Sequence, residues 1–225
     1  MHPHRGFETV TIAFQGEITH TDSTGQSDTI YPGDVQWMTA GSGIEHSEMH
    51  SDRFTATGGT LEMVQLWVNL PSDKRMTPPG YQAITSKTLA HSKLVSGNGD
   101  ITVIAGEYND AKGPAKTFTP INLFSVKLNP DSETTFSTPE GWVAAVLVRN
   151  GNLKVDGKSF GSKSMAVFTK EGGGFKVASG SDGAEFVVMA GEPIEEEYVA
   201  RGPMVMNTEH EITQAFYDYR RGLFR

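Results

Sequence analysis

The sequence predicts an all-β fold. Its 225 residues include 25 glycines and 11 prolines, and the hydrophobic 37% falls in short runs parted by turn residues. Several of those runs alternate apolar and polar residues, the period of a strand with one face buried. The length is ample for a real core and suits one large or two small domains. No window reaches the roughly 18 apolar residues of a membrane span, and no basic segment followed by an apolar one opens the chain. Neither a membrane partner nor a signal peptide is therefore expected. The absence of cysteine excludes disulfides, thiolate metal sites and a cysteine nucleophile. With no export signal, the cytoplasm is the expected compartment. A net charge of −8 and a pI near 5.3 argue against a phosphate-binding surface, so no direct nucleic-acid partner is expected.

Taken in order, residues 7–14 (FETVTIAF) alternate loosely and are β-rich. Residues 15–17 read as a turn and residues 18–21 as the return strand. Asp22-Ser23-Thr24-Gly25 has the side-chain-to-backbone chemistry of a second turn. Residues 29–31 form a short strand that stops at Pro32-Gly33-Asp34, and residues 35–38 form the next. The glycine-spaced stretch 40–43 has neither a GxGxxG nor a P-loop pattern and no helix after it, so it is not a phosphate loop. Residues 61–70 (LEMVQLWVNL) carry the longest strand signal. Odd and even positions are both nearly all apolar, which predicts a strand covered on both faces. Further strands fall at 101–106, 123–128, 141–148, 151–157 and 185–193. The polar, turn-rich stretch 109–114 is the expected boundary between halves. Residues 208–221 form the one clear helix. Thr208 with Glu211 makes a capping box, and Ile212, Ala215, Phe216 and Tyr219 make one apolar stripe. Arg220, Arg221 and Arg225 complement the helix dipole.

The chemistry concentrates at the start. His2 and His4 stand two apart, so an extended strand points both to one side. Glu8 shares their parity unless Gly6 bulges the strand and breaks it. His46 and Glu48 repeat the spacing. Two such strands facing each other offer three imidazoles and a carboxylate to one ion, against the bland reading that a lone His-x-His arises by chance. Five of the seven histidines (His2, His4, His20, His46, His50) lie in the first fifty residues, and none lies between His91 and His210. The second half therefore cannot build the same site.

The stretches HPHRGFETVT, DSTG, PGDVQWMTAGSGIEHSEM and QLWVNLP, with GEPIEEEYVARGPMVMNTEHEITQAFYDYRRGLF near the end, resemble the pirin family of the cupin superfamily. That resemblance runs from residue 2 to the end. It implies a bicupin, two cupin-type β-barrels in tandem with a short C-terminal helix. The N-terminal barrel (1–108) would carry the metal, the C-terminal barrel (109–195) would lack ligands, and the tail and helix (196–225) would pack on the barrels. It implies His2, His4, His46 and Glu48 as ligands, to Fe(II) first and otherwise to another divalent first-row metal. The general cupin pattern nominates Glu8 instead, which leaves Glu8 as a supporting or core-buried partner. Members of the family carry early barrel strands ahead of this motif, which are absent here. His2, beside a free terminus, is accordingly expected to fray. Glu45 and His50 add charge beside the second ligand pair.

Two functions are implied. One is a quercetin 2,3-dioxygenase type of oxidoreductase, with a flavonol and O₂ as partners and Glu48 as catalytic base. Trp37, Met38, Met63 and Trp67 are candidate pocket walls, against the plain reading that each is core. The other is a non-enzymatic, iron-dependent regulatory module, a transcription coregulator or a regulator of metabolic enzymes, with a protein partner and a solvent-open charged patch around Arg5. A third and blander reading is a degenerate cupin with no working site.

Overall fold

The computed structural model describes residues 1–224, and over half of the chain is strand. Arg225 of the expected basic cluster lies outside the described residues. Two compact units divide the chain. The first is Met1–Thr88 with the chain from Ile194 onward, and the second is Leu89–Pro193.

The first unit opens with β1 (His2–His4), β2 (Phe7–Gln15), β3 (Ile18–Asp22), β4 (Ser27–Ile30), β5 (Val35–Thr39), β6 (Ile44–His50), α1 (Asp52–Thr57), β7 (Glu62–Asn69) and β8 (Gly80–Ile84). These strands make two four-stranded antiparallel sheets, in the orders β1-β6-β3-β4 and β7-β2-β5-β8. The corner between β1 and β2 rests on Gly6, whose φ is +87°. A Cβ there would lie 1.8 Å from the Val205 carbonyl oxygen, so only glycine fits. This corner sends β1 and β2 into different sheets and ends the shared parity of His4 and Glu8. His2, expected to fray, is paired with His46 across β1 and β6.

In the second unit, β9 (Ala90–Lys93), β10 (Gly99–Ala105), β13 (Ile121–Leu128), β15 (Val143–Val155), β16 (Lys158–Phe160) and β18 (Gly174–Gly191) join in the order β16-β15-β18-β13-β10-β9. The strands β14 (Glu133–Ser137) and β17 (Ser164–Val167) pair with β18 and β15, and β11 (Glu107–Tyr108) pairs with β12 (Ala111–Lys112). The boundary at 108 is corrected by this sheet. β9 pairs with β10 and β10 with β13, so the division falls after Thr88, and the polar stretch near 110 is only the β11-β12 hairpin. The interior of this unit is apolar, built from residues such as Val103, Phe124, Val126, Val146, Val148 and Phe186.

The chain then returns to the first unit as β19 (Val199–Arg201), β20 (Met204–Met206) and α2 (Glu209–Arg220). The Thr208 hydroxyl accepts from the Glu211 amide, and the Glu211 carboxylate accepts from the Thr208 amide, which completes the capping box. Ile212 and Ala215 are buried in a cluster with Met204, Met206 and Phe224, and Phe216 and Tyr219 pack against it. The predicted stripe thus covers the body of its own unit. α1 was not predicted. It is a single short element capped by the Ser51 hydroxyl, and no residue of it is buried. The expectation for β7 is also corrected. Met63, Gln65 and Trp67 are exposed while Val64, Leu66 and Val68 are half-buried, so β7 has one open face. Among the described residues no helix is long and apolar enough to cross a membrane.

Candidate metal centre

Pairing of β1 with β6 sets His2 against His46, and pairing of β3 with β6 sets Asp22 against His46 and His20 against Glu48. One sheet therefore carries five histidines and brings four of them, His2, His4, His20 and His46, together. His2, His4 and His46 each offer a ring nitrogen, and these nitrogens lie within 4.8 Å of one another. His46 is fully buried, His4 is buried and His2 is exposed, which leaves the cluster open on the His2 side.

The charge state suits a metal. Burial, then the neighbouring His2, lowers the His4 imidazole to about 4 against a bond to the Pro203 carbonyl. Burial, followed by His2, His4 and His20, lowers His46 to about 3. Both rings are neutral at pH 7, as ligation requires. Tautomers follow from the partners. The Pro203 carbonyl can only accept, so His4 Nδ1, at 3.4 Å, carries the hydrogen and leaves Nε2 bare. The buried Nε2 of His46 has no hydrogen-bond partner. A buried polar atom with no partner costs about 1–3 kcal/mol, and here it sits on the residue that faces the other two imidazoles. A divalent first-row ion is the species that satisfies such a donor set.

Glu48 is placed differently from the three histidines. Its Oε1 accepts from the Thr11 hydroxyl at 3.0 Å and from Gln36 Nε2 at 3.2 Å, and its Oε2 accepts from Gln65 Nε2 at 2.8 Å. The carboxylate is thus held by β2, β5 and β7 beside the cluster rather than within it. Glu8 is buried and accepts from the Thr39 hydroxyl at 2.7 Å. Burial raises its pKa, against the hydrogen bond from Thr39. It is a core-buried partner in the other sheet. Of the expected pocket walls, Trp37 and Met38 are fully buried in the core, whereas Met63 and Trp67 are exposed. The Trp67 ring stands edge-on to His4 at 5.5 Å and against Phe7 at 4.4 Å. The expectation of a charged surface around Arg5 is corrected. Arg5 is buried, donates to the Ser42 carbonyl at 2.7 Å and pairs with Asp218 of α2 at 2.8 Å. His50 contacts Phe54 away from the cluster.

His20 and Asp22 were given no role by sequence reasoning, yet both are buried against His46 and Gln36. The available signal was their own i, i+2 spacing, which repeats that of the two ligand pairs.

Known proteins resemble this chain over almost its whole length. The family model Pirin matches residues 1–68, and the Pirin C-terminal cupin domain matches residues 123–225. PA2418 of Pseudomonas aeruginosa, provisionally named a quercetin 2,3-dioxygenase, is 44% identical over 99% of this chain and 78% of its own length. Pirin-1 of Arabidopsis thaliana is 40% identical over 97% of this chain and 75% of its own. A crystal structure titled quercetin 2,3-dioxygenase from Acinetobacter baumannii superposes with a TM-score of 0.94. It is 48% identical and covers 99% of this chain and 77% of that one.

Proposed function

Because the chain belongs to the pirin family of bicupins, we propose that His2, His4 and His46 hold a divalent first-row metal, iron(II) in the leading assignment, and that the protein is a quercetin 2,3-dioxygenase type of oxidoreductase. The observation that carries this reading is the cluster of three imidazoles, two of them buried and neutral, with the His46 Nε2 unpartnered among them. When bound, the metal supplies Lewis acidity and a template for the flavonol and O₂.

The chain's own residues do the rest. Glu48 follows His46 by two on β6, so both side chains point to one side of the strand. It is the carboxylate of β6 that shares the His46 side of the strand, and it serves either as the fourth ligand or as the base that takes the proton of the flavonol 3-hydroxyl at a carboxylate oxygen. Thr11, Gln36 and Gln65 hold both its oxygens in place. Trp67 offers an exposed aromatic face beside His4, suited to a flat substrate ring.

The test is oxygen uptake by iron-reconstituted protein with quercetin, run beside metal-free protein. Metal-dependent uptake with loss of the flavonol absorbance and release of carbon monoxide is expected. No uptake by protein shown to hold iron would reject the enzyme and favour a regulatory role for the metal.

A further inference from the structure

His20 is fully buried on β3, and Asp22 follows it by two, so their side chains share one side of the strand. His20 Nε2 lies 2.9 Å from Asp22 Oδ2. A carboxylate only accepts, so Nε2 carries the hydrogen and His20 Nδ1 is bare. Two groups converge on that bare nitrogen. Gln36 Nε2 is 3.2 Å away, and the same amide nitrogen is 3.2 Å from Glu48 Oε1. Reversing the amide would set its oxygen against both the carboxylate and the bare nitrogen, so the donor end faces them. The second group is His46 Nδ1, 3.5 Å away at the outer edge of hydrogen-bond range. Facing a bare nitrogen, His46 Nδ1 is the end that carries the hydrogen. Its Nε2 is then the bare end, the same buried atom that has no partner in the fold. Tyr81 stacks on His20 at 4.8 Å with an interplanar angle of 25°, which fixes the plane of the ring.

We propose that Asp22 and His20 are positioning residues of the metal centre. Asp22 sets the tautomer of His20, and His20 holds the Nδ1 hydrogen of His46, so that the Nε2 lone pair is presented to the ion. The chain Asp22–His20–His46 extends the site one shell beyond its ligands and rests on the reading of the histidine cluster as a metal centre. Outer partners of this kind orient ligating histidines and contribute about 10–100-fold in metal affinity. His20 itself is not a ligand in this arrangement, because its two nitrogens are already committed to Asp22 and to the Gln36–His46 pair.

Asp22→Asn separates this role from a structural one. Asp22 Oδ1 also accepts from the Thr24 amide and hydroxyl and from the Gln26 amide, which builds the turn after β3. Asparagine keeps an oxygen for that turn and turns an amide donor toward His20. His20 must then move its hydrogen to Nδ1, where it opposes His46 and Gln36. An exchange of this type in a Ser-His-Asp triad leaves geometry intact and installs the wrong tautomer. The experiment titrates metal-free wild type and Asp22→Asn with cobalt(II), alongside the thermal unfolding of both without metal. Imidazole ¹⁵N NMR of the metal-free proteins reads the tautomers. We expect affinity to fall about 10–100-fold with an unchanged unfolding midpoint, and the His46 hydrogen to sit on Nδ1 in the wild type only. Equal affinity in a folded Asp22→Asn protein overturns the proposal. So does a wild-type His46 protonated at Nε2, a result that stands even if the variant does not fold. Wild type that binds no cobalt(II) would overturn the metal centre itself.

Discussion

In the second unit the strands turn Val103, Val126, Val146, Val148, Phe186 and Val188 inward. In the first, residues buried from the equivalent kind of strand include His4, Glu8, Thr9, Thr11, His20, Asp22, Gln36, Thr39 and His46. Among the described residues, all the buried polar and charged ones but Thr134 belong to the first unit. Each such group must find a partner or cost about 1–3 kcal/mol. Most do: His20 with Asp22, Glu8 with Thr39, Thr11 with Glu48. The second unit shows that an antiparallel β interior needs none of this to form. The polar interior of the first is therefore not a requirement of the fold, and six of its buried side-chain atoms, His46 Nε2 and Thr9 Oγ1 among them, have no hydrogen-bond partner.

The sharpest break in this comparison is expected from the apolar side. Phe186 is fully buried, and Phe186→Ala should lower the unfolding free energy by about 3–5 kcal/mol, measured by urea titration, with bound metal unchanged per folded chain. A loss of less than about 1 kcal/mol would mean that the second interior is not tightly packed. Next, a hydroxyl placed where no partner exists should be felt. Val146→Thr should cost about 1–3 kcal/mol, and a neutral outcome would contradict the apolar character assigned to that core.

The pH dependence tests the polar side. His4 and His46 titrate near 4 and 3 in the folded chain, against 6.5 ordinarily. The unfolded chain thus binds protons at pH values where the folded chain does not. The stability of the metal-free protein is fully present above about pH 6.5 and falls as pH drops toward about 4. Denaturant midpoints at pH 7.5 and pH 5 read this directly, and an unchanged midpoint would show that the imidazoles are not held neutral. The smallest effect has the opposite sign. Thr9 is fully buried with its hydroxyl unpartnered, so Thr9→Val should be neutral or stabilise by up to about 1 kcal/mol. A clear loss would reveal a partner for that oxygen.

Much of this was legible in the sequence where the signal is local. The Thr208–Glu211 box and the Ile212, Ala215, Phe216, Tyr219 stripe lie within three turns of one helix, and α2 follows them. The pairs His2–His4 and His46–Glu48 sit at i, i+2, and strand geometry alone aims each pair to one side. What the sequence did not disclose depends on partners distant along the chain. β7 has one open face because less of the fold packs over its Met63, Gln65 and Trp67 side, which its own apolar residues cannot tell. Arg5 is buried because Asp218, more than two hundred residues on, meets it. His20 gained its place only when β3 paired with β6. The unit boundary moved to residue 88 because β9 joined β10 and β10 joined β13, a pairing that turn composition near 110 does not reveal.

The proposed metal centre stands or falls on His46, whose buried Nε2 has no partner within the fold. The most direct measurement is the iron content of wild type and His46→Ala after anaerobic loading with iron(II) and desalting, with circular dichroism to confirm that both are folded. Iron should be retained by the wild type in a one-to-one ratio and lost from folded His46→Ala. Equal retention by the two proteins would contradict this centre and place the ion elsewhere.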